Sequence, residues 1–146
     1  MSHRHSKHIG ILEGFAKLDV QRTERTGIPE AILAEGKTTD QVVGALRRMA
    51  EVAGMALATR VDEVCASAIN RTLGTKFRVH RVALARTVVV SKKGAGPKLT
   101  GGIVAILAAG TSDIPTAEEA RVTAEVMGCE VLAHYDVGIA GIHRLL

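Results

Sequence analysis

The chain has 146 residues, of which 47% are hydrophobic, 23% charged and only 2% aromatic, with a formal net charge of +4. That is enough apolar material for a folded core and for one ordinary domain, or a small domain plus part of another. The small basic excess suits an anionic ligand, but Phe15, Phe77 and Tyr135 are the only aromatic residues. They offer almost nothing for bases to stack on, and no helical run of Lys and Arg suits a groove, so a nucleic-acid polymer is not an expected partner. Cys65 and Cys129 lie in different segments and outside any CxxC pattern, which favours a reducing cytoplasm over a disulfide framework. No apolar run approaches the roughly 20 residues of a membrane span, and no secretory segment follows Met1, so a soluble protein without a membrane partner is expected.

Residues 1–8 read as a polar basic tail, in which His3, His5 and His8 lack the cysteine or carboxylate that a specific metal site would add. Ile9–Leu18 has the apolar spacing of a short amphipathic helix. Ala31–Ala34 suits a short strand, ended by Glu35-Gly36-Lys37-Thr38. The Gly-Lys-Thr run is not a phosphate loop, because the glycine required five residues before Gly36 is Ala31. Thr38-Thr39-Asp40-Gln41 reads instead as a capping box opening a helix with Val42, Leu46, Met49, Ala50 and Ala53 on one face and Gly54 as its stop.

Met55–Thr59 is the next expected strand. Val61–Leu73 is the next helix, with Val64, Cys65, Ala68 and Ile69 inward and Gly74 at its end. Cys65 fits a small core residue better than a reactive thiol. Phe77–His80 and Val82–Val90 read as a hairpin-like strand pair. The fold class is therefore α/β, beginning with a small N-terminal α/β domain over residues 9–90. Residues 91–102, rich in Gly, Pro and Lys, read as a linker.

Residues 103–146 repeat a strand–turn–helix idea. The seven apolar residues Ile103–Ala109 suit a strand covered on both faces. They run into Gly110-Thr111-Ser112-Asp113 and a helix over Ala117–Met127. Thr116 to Glu119 form a second capping box there, with Glu118 and Glu119 in the first turn and Ala117, Ala120, Ala124 and Met127 inward. Cys129–Tyr135 is the following strand, Asp136–Gly141 a glycine-rich turn, and Ile142–Leu146 the start of another helix. A strand, crossover helix and strand of this length should be parallel, which puts both turns on one edge of a flavodoxin-like sheet. Two strands do not cover their own apolar surface, so residues 103–146 read as an incomplete domain and the chain as a fragment.

That edge collects Gly110, Thr111, Ser112, Asp113, Asp136, Gly138, Gly141, His143 and Arg144. Hydroxyls, exposed amides and a guanidinium suit a phosphate, and a carboxylate suits ribose hydroxyls. Asp113 and Thr116 equally suit a purely local role at the helix start. His143 divides the same way between ligand and helix-start backbone, and Arg144 between phosphate and solvent.

AGTSDIPTAEEARVTAE (109–125) and YDVGIAGIHRLL (135–146) resemble the nickel-pincer cofactor biosynthesis carboxylases, the pyridinium-3,5-biscarboxylic acid mononucleotide synthases. More distantly they resemble the aminoimidazole ribonucleotide carboxylases and mutases of purine synthesis. The likeness continues upstream through RTERTGIPEAILAEGKTTDQV (22–42) and LATRVD (57–62). It implies an oligomeric enzyme that binds nicotinic acid adenine dinucleotide or a related phosphoribosyl ligand. The implied reaction carboxylates the pyridinium ring with carbon dioxide or bicarbonate and hydrolyses the pyrophosphate with release of AMP, with magnesium (Mg2+) as cofactor. It also implies that Gly110, Ser112, Asp113, His143 and Arg144 hold phosphate and ribose, with Thr111 near one of the family's serines. The family's nucleophilic cysteine belongs to a later segment, so Cys129 is not assigned that role. Gly141-Ile142-His143-Arg144 departs from the Ser-Ala-His-Arg of the purine enzymes, which favours the pyridinium branch. A purine-pathway carboxylase or mutase, and a non-catalytic nucleotide-binding or assembly module, are the alternatives.

Overall fold

A computed structural model describes residues 9–12, 16–19, 22–26, 28–139 and 143. The first unit is a four-stranded sheet in the order β3-β4-β6-β5. Its strands are β3 (Ala31–Leu33), β4 (Met55–Thr59), β5 (Arg78–Val82) and β6 (Thr87–Ser91). β3 and β4 are parallel, joined through helix α2 (Thr39–Ala53), whereas β6 runs antiparallel to both β4 and β5. Helix α3 (Glu63–Leu73) connects β4 to the β5–β6 hairpin.

The local chemistry that starts α2 is the expected capping box. Thr38 Oγ1 accepts the Gln41 amide at 3.3 Å, and the Thr38 amide donates to Gln41 Oε1 at 3.0 Å. Two otherwise orphaned amides are thereby satisfied. α3 is capped by Asp62, which accepts the Cys65 amide at 2.7 Å. The Gly-Lys-Thr turn folds back on β3, with Lys37 Nζ donating to the Leu33 carbonyl at 2.9 Å. Its lysine thus serves the turn itself.

The sheet is covered on both faces. Ala56, Ala58, Val88 and Val90 pack with Leu46 and Met49 of α2 and Ile69 of α3 in the main core. On the other face Leu57 and the half-buried Met55, Val82 and Val89 meet Val122 and Val126 of helix α4 (Ile114–Val126). Double cover explains why β6 reads as continuous valines rather than as an alternation. Cys65 is buried within the main core, and burial pushes its thiol pKa up.

The second unit pairs β7 (Ile103–Leu107) with β8 (Glu130–His134) in parallel, from Ile103 beside Glu130 to Leu107 beside His134. α4 crosses between them. The chain is therefore a mixed α/β protein, a small α/β domain followed by the start of a flavodoxin-like arrangement. Residues 92–102 contain no helix or strand, and Thr100 bonds the Gly128 carbonyl through its amide at 2.9 Å. Gly128 has φ +84°, and a Cβ there would lie 1.9 Å from the Lys98 carbonyl oxygen, so this close approach requires glycine. Among the described residues no helix is long and apolar enough to cross a membrane.

Four expectations are corrected. Ile9–Leu18 is not a helix: β1 (Ile9–Leu12) and β2 (Ala16–Asp19) form an antiparallel pair. Gly10 and Gly14 each cost a helix about 1 kcal/mol, while Leu18 on the strand reaches the main core. Val64 points outward at 75% exposure and Ala53 is exposed, because α3 and α2 turn neighbouring residues to the sheet. β7 is not covered on both faces: Ile103 is 66% and Leu107 58% exposed, since among the described residues α4 packs on the strand and nothing covers the face that carries these two. α4 begins at Ile114 with Pro115 in its first turn, not at Ala117, so the expected box from Thr116 to Glu119 falls inside the helix. That shift carries Glu118 into the interior and leaves Ala120 exposed.

Candidate functional site: a rim joining two strand-to-helix turns

Because β7 and β8 are parallel, the turns that follow them lie at the same end of the sheet. Ala108, just past β7, donates its amide to the His134 carbonyl at 3.0 Å. The second turn then bonds back to the first: Val137 N–H donates to Ala108 O at 3.1 Å, and Gly138 N–H to Ala109 O at 2.9 Å. A Cβ on Gly138 would stand 2.7 Å from that Ala109 oxygen. Glycine at 138 is thus what lets the two turns touch.

Gly110 leads into a 3-10 turn over Thr111–Asp113, and all three of those residues are exposed. The first amides of such a turn, those of Thr111 and Ser112, have no acceptor within it. Asp113 Oδ2 accepts the Gly110 amide at 3.2 Å, which holds the turn closed. The local role considered for Asp113 is therefore occupied in part, by one oxygen of its carboxylate. Asp136 opens the second turn with φ +56°, a left-handed conformation that Asp tolerates better than most residues. His143 is exposed. Gly141, Arg144 and most of the expected Ile142–Leu146 helix lie outside the described residues.

The structure thus brings Gly110, Thr111, Ser112, Asp113, Asp136 and Gly138 to one rim. Behind it sits a polar network not foreseen in the sequence. Glu118 is 9% exposed. It accepts Arg121 Nε at 2.7 Å and a second Arg121 nitrogen at 2.9 Å, and it also accepts the Tyr135 hydroxyl. Arg121 further donates to Glu125 at 2.7 Å. Arg121 chiefly holds the Glu118 carboxyl below the usual carboxylate range, against the opposing effect of burial. Glu118 in turn raises the Tyr135 phenol and, with Glu125, the Arg121 guanidinium. Tyr135 immediately precedes Asp136, so this network anchors the residue from which the second turn departs. The signal was the spacing of Glu118, Arg121 and Glu125 on one helical stripe, masked by placing the helix start too late.

The cysteines stand away from the rim. Cys65 is in the first unit's core, and Cys129 precedes β8 at the opposite end of that strand. Among the described residues no three His, Cys, Asp or Glu side chains gather as a metal cage.

The fold is that of an α/β protein whose parallel strands β7 and β8 end at two turns bonded to each other. The sequence profile described as the LarB/PurE-like N-terminal domain matches residues 11–92, and the chain belongs to that family. It is also 41% identical over 136 residues to an uncharacterized protein of Methanocaldococcus jannaschii, covering 92% of this chain and 53% of that one. The chain thus spans about half the length of the curated relative it matches.

Proposed function

We propose that the intact protein is a carboxylase acting on a pyridinium mononucleotide unit. In this reading it carboxylates the pyridinium ring of nicotinic acid adenine dinucleotide and hydrolyses the pyrophosphate, within nickel-pincer cofactor synthesis. The observation that supports it is the bonding of Val137 and Gly138 to Ala108 and Ala109, which sets two amide-bearing turns side by side. Amides and hydroxyls of Thr111 and Ser112, in the turn that Gly110 opens, would receive the phosphate, and Asp113 and Asp136 the ribose hydroxyls. His143 and Arg144, close in sequence to Gly138, would close the phosphate from the other side. Membership of the LarB/PurE-like family supports a carboxylase role, and the Gly141-Ile142-His143-Arg144 sequence favours the pyridinium substrate over the purine one.

This chain's share of the chemistry is binding and orientation. Neither cysteine is at the rim, so a thiolate that adds to the ring would come from outside the residues described. Magnesium fits here as an ion carried mainly by the pyrophosphate, with at most one rim carboxylate such as Asp113 beside it, where it would neutralise charge on the leaving phosphate.

The test is turnover by the full-length protein with bicarbonate, magnesium and either nicotinic acid adenine dinucleotide or aminoimidazole ribonucleotide. Ring carboxylation with AMP release from the dinucleotide is the expected result. Turnover of the imidazole ribonucleotide alone would replace this reading with the purine one. Binding of nicotinate mononucleotide without turnover of either substrate would support a non-catalytic module.

A further inference from the structure

Far from the rim in chain order, α2 and α3 enclose a cleft of about 500 Å³. Its walls are set at helical spacing: Asp40, Gly44, Arg47 and Glu51 on α2 face Ala68, Arg71 and Thr72 on α3. Gly44 and Ala68 fill little of the space between the helices, which leaves the volume open. The volume falls within the range that small-molecule sites occupy.

The cleft gathers three arginines on two helices. Arg25, Arg60, Arg81 and Arg121 each form an ion pair with a carboxylate. Arg47, Arg48 and Arg71 form none among the described residues, although all three line one cleft. The cleft's own Glu51 is already bound to Lys76 Nζ at 2.9 Å. Glu51 also feels Arg47 and Arg48, and Asp40, at the α2 start, is the other carboxylate in the lining beside the three guanidinium groups. Three guanidinium groups outnumber the two carboxylates of the lining, and an excess of one sign in a concave space focuses a positive field there. Their planar donor forks match phosphate oxygens two at a time.

We propose that the α2–α3 cleft binds a small anion with two or more negative charges, of the di- or triphosphate class. Arg47 and Arg48 would grip it from one helix and Arg71 from the other, with the Thr72 hydroxyl as a further donor. With Glu51 paired to Lys76 and Asp40 set against one arginine, two cationic charges are left in the lining, so a dianion matches them and selectivity should rise from monoanion to dianion. This site is separate from the rim and does not depend on the carboxylase reading.

Titrating inorganic pyrophosphate into the protein at about 0.15 M salt, with arginine Nε–Hε resonances as the readout, tests the proposal. Saturable shifts confined to Arg47, Arg48 and Arg71, with Kd below about 1 mM and weaker binding of inorganic monophosphate, are expected. Arg71→Gln and, independently, Arg47→Gln should each weaken pyrophosphate at least about tenfold, while Arg78→Gln should not. Triphosphate and AMP arms distinguish a bare polyphosphate from a nucleotide: equal affinity for AMP and pyrophosphate would overturn the charge requirement. Non-saturating shifts spread over Arg60 and Arg78 as well, or normal affinity in both Gln variants, would overturn the site. Shifts at the Gly110 and Gly138 amides report the rim separately, so either site can fail alone.

Discussion

β6 and β7 are both short apolar runs, Thr87–Ser91 and Ile103–Leu107, yet one is among the most buried strands and the other is largely exposed. β6 has a paired strand on each side, α2 and α3 on one face and α4 on the other. Among the described residues β7 has β8 as its paired strand and α4 beside it. An apolar run therefore records the cover a strand requires, and not whether neighbouring elements within the same stretch of chain supply it. The second unit even gives away part of its cover: Val122 and Val126 of α4 pack on the first unit's sheet.

The difference between the two units can be pressed by mutation. Leu46 is fully buried between α2 and the sheet, so Leu46→Ala should destabilise the chain by about 2–5 kcal/mol in urea or thermal unfolding. Leu107→Gln, at an exposed position of equal apolar character, should stay within about 0.5 kcal/mol. Equal losses at the two positions would show that β7 is as well covered as β6. A smaller effect is expected at the rim. Gly138→Ala places a methyl 2.7 Å from the Ala109 oxygen and should cost about 1–3 kcal/mol by parting the two turns. Its effect on mononucleotide affinity should exceed its effect on the first unit's amide protection.

The smallest effect is electrostatic. Tyr135 is the only tyrosine and there is no tryptophan, so the ultraviolet phenolate signal reports Tyr135 alone. Its bond to Glu118 raises the phenol pKa, so this contribution to stability is present at neutral pH and lost as pH rises through the folded value. The titration midpoint should lie above about 10, and Glu118→Gln should bring it down. Glu118 itself has a lowered pKa, so its contribution is lost in acid, as pH falls through a value below the usual carboxylate range. Thermal stability should fall on acidification below about pH 4 in the parent and fall less in Glu118→Gln. An unshifted phenol would remove the anchor inferred for the second turn.

Much of this was legible in the residues. The Thr38–Gln41 box, α2, β3, β4 and the parallel β7–β8 pair follow from capping chemistry and period, because those signals are local. So does the placement of both turns at one sheet edge. The N-terminal pair β1–β2 was not legible, because apolar spacing at Ile9–Leu18 outweighed the two glycines that disfavour a helix there. The start of α4 was misplaced because Pro115 at a first turn and Thr116 at a capping box compete for the same reading. Glu118 was consequently placed in the first turn, and its partner Tyr135 lies seventeen residues away, beyond any local pattern. The packing of α4 on the first sheet depends on contacts that no single segment encodes.

The central claim is that the two turns act as one phosphoribosyl-binding rim. Titration of nicotinate mononucleotide followed at the backbone amides of Gly110–Asp113 and Val137–Gly138 tests it most directly. The account predicts that both groups shift together along one saturable isotherm, and that Ser112→Ala weakens it. Shifts in only one turn, or in neither while ligand binds elsewhere, would contradict it.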